Sequence, residues 1–314
     1  MRDLKLHGAL FVLAVVAALL TWNRNEVSES SRDLILAWQR DTADFRWFQY
    51  SSPTLDIRIE RRTDELGPFY WGTQTRKDRS PEQLGFPVGW SGAEIVPNLS
   101  VLRVLRDLGE LGAEEQTRFG LADSEVRLTV EFAAGRRELV VGDSVFGGED
   151  RYVMERATGR GYVISREIIN QIELGEGALR ERMVHNFRYS DLAEVRVAAG
   201  DGGERAMVRA ESDEWTEPGR DVPDIGFGNF MERVEEMAID GYDNPPAAER
   251  LRLVLRMEYL DGDGDVLGFM ELFRDDLAER NAYYLRSEST RVVARAHSLM
   301  AERLEQAVGD IFQP

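Results

Sequence analysis

Trp90 followed by Val96-Pro97-Asn98 has a counterpart in Trp215 followed by Val222-Pro223-Asp224, and this pair decides how the rest of the chain is read. Asn98 and Asp224 each stand where a side-chain oxygen would accept the free backbone amides of a helix's first turn. Upstream of each tryptophan lies a strand with period-two alternation, Leu55-Asp56-Ile57-Arg58-Ile59 in one copy and Ala193-Glu194-Val195-Arg196-Val197 in the other. Downstream, apolar residues at three-residue spacing predict a helix with one face to bury: Leu99, Leu102, Leu105, Leu108 and Leu111, against Ile225, Met231, Val234 and Met237. Each helix leads into a hairpin. The first runs from Val130-Glu131-Phe132 through Gly135 to Leu139-Val140-Val141, the second from Met257-Glu258-Tyr259 through Gly262 to Val266-Leu267.

Each copy then continues with a strand that starts at a tyrosine, Tyr152-Val153-Met154 or Tyr283-Tyr284-Leu285. Another apolar strand follows, Gly161-Tyr162-Val163-Ile164 or Arg291-Val292-Val293, and a helix closes the copy. The offset drifts only between 125 (Trp90 to Trp215) and 138 (Leu55 to Ala193), as insertions confined to loops would produce. The predicted fold class is therefore α+β: an N-terminal transmembrane helix followed by two tandem modules, each an antiparallel sheet with a helix packed on one face. Module one covers 51–184 and module two 185–314, while residues 24–50 form a connector. The connector holds an expected helix around Asp33 to Arg40 and an aromatic cluster, Phe45, Trp47, Phe48 and Tyr50, which either packs into module one or lies on lipid headgroups.

The transmembrane reading comes from residues 1–23. No formally charged residue occurs from His7 to Asn23, and Leu10, Phe11, Leu13, Val16, Leu19 and Leu20 fill its centre. A helix from Leu4 to Trp22 spans about 28 Å at 1.5 Å per residue, close to the hydrocarbon thickness when Lys5 snorkels. Trp22 sits where an indole prefers the interface, and Arg2 and Lys5 precede the span, which keeps the short N-terminus cytoplasmic and places the rest outside. Leu19-Leu20-Thr21-Trp22-Asn23 offers no small-x-small cleavage site, so an uncleaved anchor in a bacterial inner membrane is expected, with the C-terminal domain periplasmic.

Among 314 residues, 57 are acidic and 39 are Lys or Arg, a net charge of -18. The first 23 carry Arg2, Asp3 and Lys5, a net +1, which leaves the remainder at -19 and argues against a nucleic-acid partner. With no cysteine there is no thiolate nucleophile, disulfide or thiolate zinc site, and His7, His185 and His297 form no metal-type pair. No cofactor is expected.

Taken together, Trp90, Pro97-Asn98, Phe119-Gly120-Leu121, Leu139-Val140-Val141-Gly142-Asp143, Arg151-Tyr152-Val153 and Gly161-Tyr162-Val163-Ile164 resemble the bacterial domain-of-unknown-function 4340 (DUF4340) family. In that family a tryptophan and proline precede a helix, followed by "(Y/F)-G-L", a strand ending in "L-x-x-G" and an "R-Y-V" strand, all downstream of a membrane helix. The likeness is strongest over 90–175 and weaker in the second copy, where Asn244-Pro245-Pro246 replaces the Phe-Gly-Leu triplet. The resemblance implies an auxiliary subunit of an ABC-type exporter or gliding-motility-like complex, with membrane transporter subunits as protein partners and the bilayer itself as the partner of the N-terminal helix.

Three motifs bear on chemistry. Gly142-Asp143-Ser144 is similar to the nucleophile block of G-D-S esterases, but Arg182 and Ala294 stand where the acid should precede His185 and His297, so a polar strand end is expected. Asp261, Asp263 and Asp265 alternate as in a calcium loop, yet Val266 and Leu272 replace the turn glycine and bidentate glutamate; a hairpin turn built on Asp-Gly accounts for them, with weak calcium binding as the alternative. Trp90 and Trp215 are expected to pack between strand and helix, sugar stacking or partner binding being the other use. The functional expectation is a non-enzymatic, membrane-anchored binding or scaffold subunit. Its rival is an envelope hydrolase acting on wall or surface glycans through a pair of carboxylates.

Overall fold

Period-two alternation over Phe45-Arg46-Trp47-Phe48-Gln49-Tyr50 sends Phe48 and Tyr50 inward, and the strand they form stands in the interior of the largest of three sheets. The structure is a computed structural model that describes residues 35–78, 82–210, 212–243, 245–278 and 281–312. The anchor residues Leu10, Phe11, Leu13, Val16, Leu19, Leu20 and Trp22 lie outside the described residues. Among the described residues no helix is long and apolar enough to cross a membrane.

In chain order the first half contains strands β1 (Ile35–Gln39), β2 (Phe45–Ser51), β3 (Leu55–Asp64), β4 (Gly67–Arg76), β5 (Gln83–Pro87), β6 (Val101–Val104), β7 (Arg106–Glu110), β8 (Arg127–Phe132), β9 (Gly135–Ser144), β10 (Arg151–Glu155) and β11 (Arg160–Ile164). Its helices are α1 (Trp90–Ala93), α2 (Ile95–Ser100), α3 (Ala113–Arg118), α4 (Arg166–Leu174) and α5 (Glu176–Leu179). The second half has β12 (Glu194–Ala199), β13 (Glu204–Arg209), β14 (Trp215–Thr216), β15 (Ile239–Gly241), β16 (Leu251–Leu260), β17 (Val266–Asp275), β18 (Ala282–Ser287) and β19 (Ala294–Ala296), with helices α6 (Ile225–Glu235) and α7 (Ser298–Ile311).

The architecture is α+β, built on antiparallel sheets. The nine-stranded sheet has the order β5-β4-β3-β2-β8-β9-β10-β11-β7, and the eight-stranded sheet the order β14-β13-β12-β16-β17-β18-β19-β15. β1 and β6 form a separate two-stranded sheet. Both large sheets therefore read as a three-strand meander beside a four-strand meander with a short strand at the far edge, and the first sheet adds β5 outside. One apolar cluster runs through both halves, from Phe45, Phe48 and Ile59 to Leu255, Met257 and Leu272. α6 buries Phe227, Phe230, Met231 and Val234, and α7 buries Ala301, Leu304, Ala307 and Ile311. The halves are also joined at polar points: Arg291 pairs with Asp64, and the Tyr242 hydroxyl donates to the Glu181 carbonyl at 3.1 Å.

Several sequence expectations are corrected here. The leucine series 99–111 is not one helix: α2 ends at Ser100, and the rest is β6 and β7. A strict spacing of three slips steadily against 3.6 residues per turn, and Val101 and Val104 are β-branched, so strand pairing with β1 and β11 prevails. Asn98 does not cap a helix. It lies inside α2 and donates to the Glu94 carbonyl at 3.0 Å, while Pro97 sits in the first turn, where its missing N–H has no intrahelical partner to lose. Residues 35–39 of the expected Asp33–Arg40 helix form β1, and the supposed connector contributes β2 to the sheet interior, with Phe45, Phe48 and Tyr50 buried. Arg291-Val292-Val293 is not a strand: it follows the turn at 288–290 as irregular chain with Arg291 at φ 61°, and the strand starts at Ala294.

Candidate functional site

The chain bends at Leu105. β6 leaves the main sheet to pair with β1, and β7 returns to it against β11, so neither strand can run through the junction. The Leu105 amide donates to the Val163 carbonyl at 2.8 Å and pins the bend. A cavity opens on each side. One, of about 500 Å³, is lined by Glu94, Ile95, Pro97, Asn98, Val101, Arg103, Leu105, Ser165, Glu167, Ile168 and Gln171. The other, of about 370 Å³, is lined by Leu105, Arg106, Val145, Phe146, Gly147, Gly148, Asp150, Tyr152 and Val163. Leu105 lines both, so the two cavities flank one bend, and together they make up the Leu105 groove. At its floor, the Ser165 hydroxyl accepts the Glu167 amide and starts α4, with the Glu167 carboxylate in the favoured first turn. The groove carries Arg103 and Arg106 against Glu94, Asp150 and Glu167, a mixed and nearly balanced set.

Beside this groove the sequence motif locks together. Gly120 takes φ 66°, which turns the chain after α3, and a Cβ there would meet the Asp143 carboxylate at 2.4 Å. Gly142 lies under the Phe119 carbonyl, 2.3 Å from where its own Cβ would be. That closeness lets the Asp143 amide donate to the same carbonyl at 3.0 Å. The Phe119 ring in turn stacks on Tyr152 at 4.3 Å between centroids, with 16° between the planes. Phe-Gly-Leu, the glycine ending the strand, and Arg-Tyr-Val are thus three sides of one contact. Residues 93–253 match the family described as Domain of unknown function (DUF4340). The chain belongs to the DUF4340 family. Neither a curated protein nor a solved structure matches the chain.

Trp90 and Trp215, paired by the repeat, part company. Trp215 is buried, edge-on to Phe227 at 5.6 Å, whereas Trp90 is 77% exposed at the start of α1, so core packing is not its role. Pro97 and Asn98 line the groove, while Pro223 bridges to Thr216 and Asp224 caps α6 by accepting the Phe227 amide at 2.8 Å. Burial would raise the Asp224 carboxyl, but that amide and the Arg205 guanidinium at 2.5 Å outweigh it and hold it below the usual range.

Ser144 ends β9 exposed, and among the described residues no hydrogen bond joins it to His185 or His297. Asp261, Asp263 and Asp265 make the β16–β17 turn: the Asp261 carboxylate accepts the amides of Asp263 at 3.0 Å and Asp265 at 2.9 Å, with Gly264 at φ 84°. The loop has five residues rather than the two of an Asp-Gly turn, since β17 starts only at Val266. Among the described residues no group of three histidines or carboxylates is arranged to hold a metal ion.

One polar cluster escaped the sequence reading. His185 Nδ1 lies 3.1 Å from a Glu288 carboxylate oxygen, and that carboxylate also accepts the Asn186 and Phe269 amides at 3.1 and 2.9 Å. Phe187 and Tyr259 pack against the imidazole at 4.9 and 4.6 Å, and Tyr189 lies at 6.2 Å; burial pushes the tyrosine hydroxyls well above their ordinary range. The partners stand 103 residues apart, so no local pattern could reveal them. The cluster ties the segment entering the second half to the β18–β19 turn, and with both side chains buried it reads as a junction.

Proposed function

We propose that this DUF4340 protein is a single-span, membrane-anchored binding subunit on the outer face of a bacterial inner membrane, and that it holds a membrane transporter subunit in the groove centred on Leu105. The observation that supports this reading is the groove itself. Its two cavities meet at a bend made only in the first half, are lined by both apolar and charged side chains, and lie where β1 brings the chain in from the N-terminal segment. The two large sheets are two copies of one module, a reading supported by their shared strand order. In that reading the second copy serves mainly as a packed support for the first.

The test is photo-cross-linking in native membranes. A photoreactive residue placed at Asn98 or Leu105 is expected to give a discrete cross-linked product, while the same residue at Asp263, in the exposed β16–β17 turn, gives none. Equal labelling at all three positions defeats the proposal. One feature favours the hydrolase reading as the second choice: Glu94 and Glu167 line the same cavity, as an acid and its partner would. Glu94→Gln and Glu167→Gln each abolishing release of sugar from wall glycans, with melting unchanged, would turn the assignment to that enzyme.

A further inference from the structure

Phe146 is, among the described residues, the largest fully exposed apolar side chain, at 102% of its free accessibility. It sits at the tip of the β9–β10 connection, where the Val145 amide donates to the Asp150 carbonyl at 2.8 Å and the Gly148 amide to the Val145 carbonyl at 3.0 Å. Gly147 at φ 76° lets the chain turn back directly behind the ring. An isolated exposed phenylalanine is ordinary on a protein surface. Its position gives this one meaning.

β2, β8, β9, β10, β11 and β7 alternate in direction, so the β9–β10 tip lies at the same end of the sheet as the start of β7. Ile35, the first residue of β1, pairs with Val104 at that end, one residue before the Leu105 that shares a cavity with Phe146. Ile35 and Leu36 are 42% and 50% exposed. Eleven residues, 24–34, separate β1 from the end of the apolar N-terminal segment, and even fully extended they reach no more than about 40 Å. With the N-terminal segment anchored as proposed above, Ile35 stays within about 40 Å of the bilayer surface, on the end of the molecule that also carries Leu36 and Phe146. Of the two carboxylates on the tip, Glu149 is paired with Arg166 and Asp150 accepts the Arg166 amide, which partly offsets the charge that anionic headgroups would repel.

We propose that the Phe146 turn is a second, monotopic contact with the membrane, its ring inserted at the headgroup–acyl boundary as interfacial aromatics do. The proposal rests on the membrane-anchored reading above.

The cysteine-free chain makes the test clean. Full-length protein carrying Phe146→Cys with a nitroxide label is reconstituted into phosphatidylcholine–phosphatidylglycerol vesicles, floated, and probed for collision with oxygen and with a water-soluble nickel chelate. Leu66→Cys, on an exposed leucine in the β3–β4 turn at the opposite end of the same sheet, is the comparison. The expected result is contact with oxygen above contact with nickel at position 146, and the reverse at 66. If the protein floats and position 146 is as nickel-accessible as 66, the second contact is wrong while the anchor stands. A label at 146 that is shielded from both reagents in native membranes but from neither in vesicles means that a protein occupies the tip, which also overturns it. Failure to float overturns the anchor and this proposal together.

Discussion

Gly142→Ala tests whether the DUF4340 motif is a packing device. The new methyl would lie 2.3 Å from the Phe119 carbonyl and 3.0 Å from Leu121 Cγ and Cδ2. The first obstacle is backbone, so relief requires moving the chain between α3 and β8 rather than turning a side chain. Overpacking of this kind costs about 1–3 kcal/mol. Moving the carbonyl away also weakens the 3.0 Å hydrogen bond from the Asp143 amide, a further loss of about 0.5–1.5 kcal/mol. The two together come to about 1.5–4.5 kcal/mol, which, at an unfolding entropy of about 2.1 cal/mol/K per residue, lowers the melting temperature of a chain of 314 residues by roughly 2–7 °C. The assay is a thermal melt of the full-length protein beside Gly177→Ala, whose Cβ meets nothing within 4 Å inside α5 and which should melt at or slightly above the wild type. Identical melts for the two variants would show that the motif glycine does not hold the Phe119 loop against β9.

Leu102→Ala, at a fully buried side chain in β6, should cost about 2–5 kcal/mol, whereas half-buried Leu105→Ala should cost markedly less and act on partner cross-linking instead; equal destabilisation by urea would undo the distinction. Burial raises the Glu305 carboxyl, but hydrogen bonds from Tyr283 at 2.5 Å and from Arg252 and Arg274 at 3.0 Å outweigh it, and its pKa falls below 4.5. A lowered carboxylate stabilises the fold above its unfolded pKa and loses that contribution as pH drops through the folded value, so Glu305→Gln should be less stable at pH 7 and converge on the wild type below pH 4.5. A constant gap across acid titration of the melts would contradict this. Asp261→Ala removes the acceptor of two turn amides and should cost about 1 kcal/mol, the same with calcium as with chelator; a calcium-dependent melt of the wild type would restore the cation-loop reading.

Strands and hairpins were legible because their information is local. Alternation in Leu55–Ile59 and the turn residues at Gly135 and Asp261–Gly264 are written within ten residues of one another, and the structure forms β3, β8–β9 and β16–β17 there. The segment 99–111 was not legible, since a leucine every three residues fits neither the 3.6-residue period of an α-helix nor the two-residue period of a strand, and its strand state depends on β1 and β11, one of them more than sixty residues upstream. Trp90 misled for a related reason: its repeat partner Trp215 is buried by Phe227 from α6, and the first half has only the short α1 and α2 in place of that helix. The groove depends on the bend at Leu105, and the His185–Glu288 pair on a contact across 103 residues.

The mismatch between sequence repeat and sheet order locates what distinguishes the first half. Phe48 faces Val130 across β2 and β8, and Val197 faces Met257 across β12 and β16. If the hairpins correspond, with Val130 matching Met257 at an offset of 127, then Phe48 matches Val197 at an offset of 149, so β12 corresponds to β2 and not to β3. The first copy is therefore 22 residues longer between these two points, 82 against 60. Insertions of this size are tolerated where they lie at an edge rather than between paired strands. Three strands of the first half have no counterpart in the second: β1, which precedes Phe48, and, between Phe48 and Val130, β5 at the sheet's outer edge and β6, which leaves the sheet to pair with β1. Without β6 there is no departure from the sheet, no bend at Leu105 and no division of the surface into two cavities. The extra length in the first half thus coincides with the Leu105 cavities, and that asymmetry is what the proposed division of labour, binding in one half and support from the other, rests on.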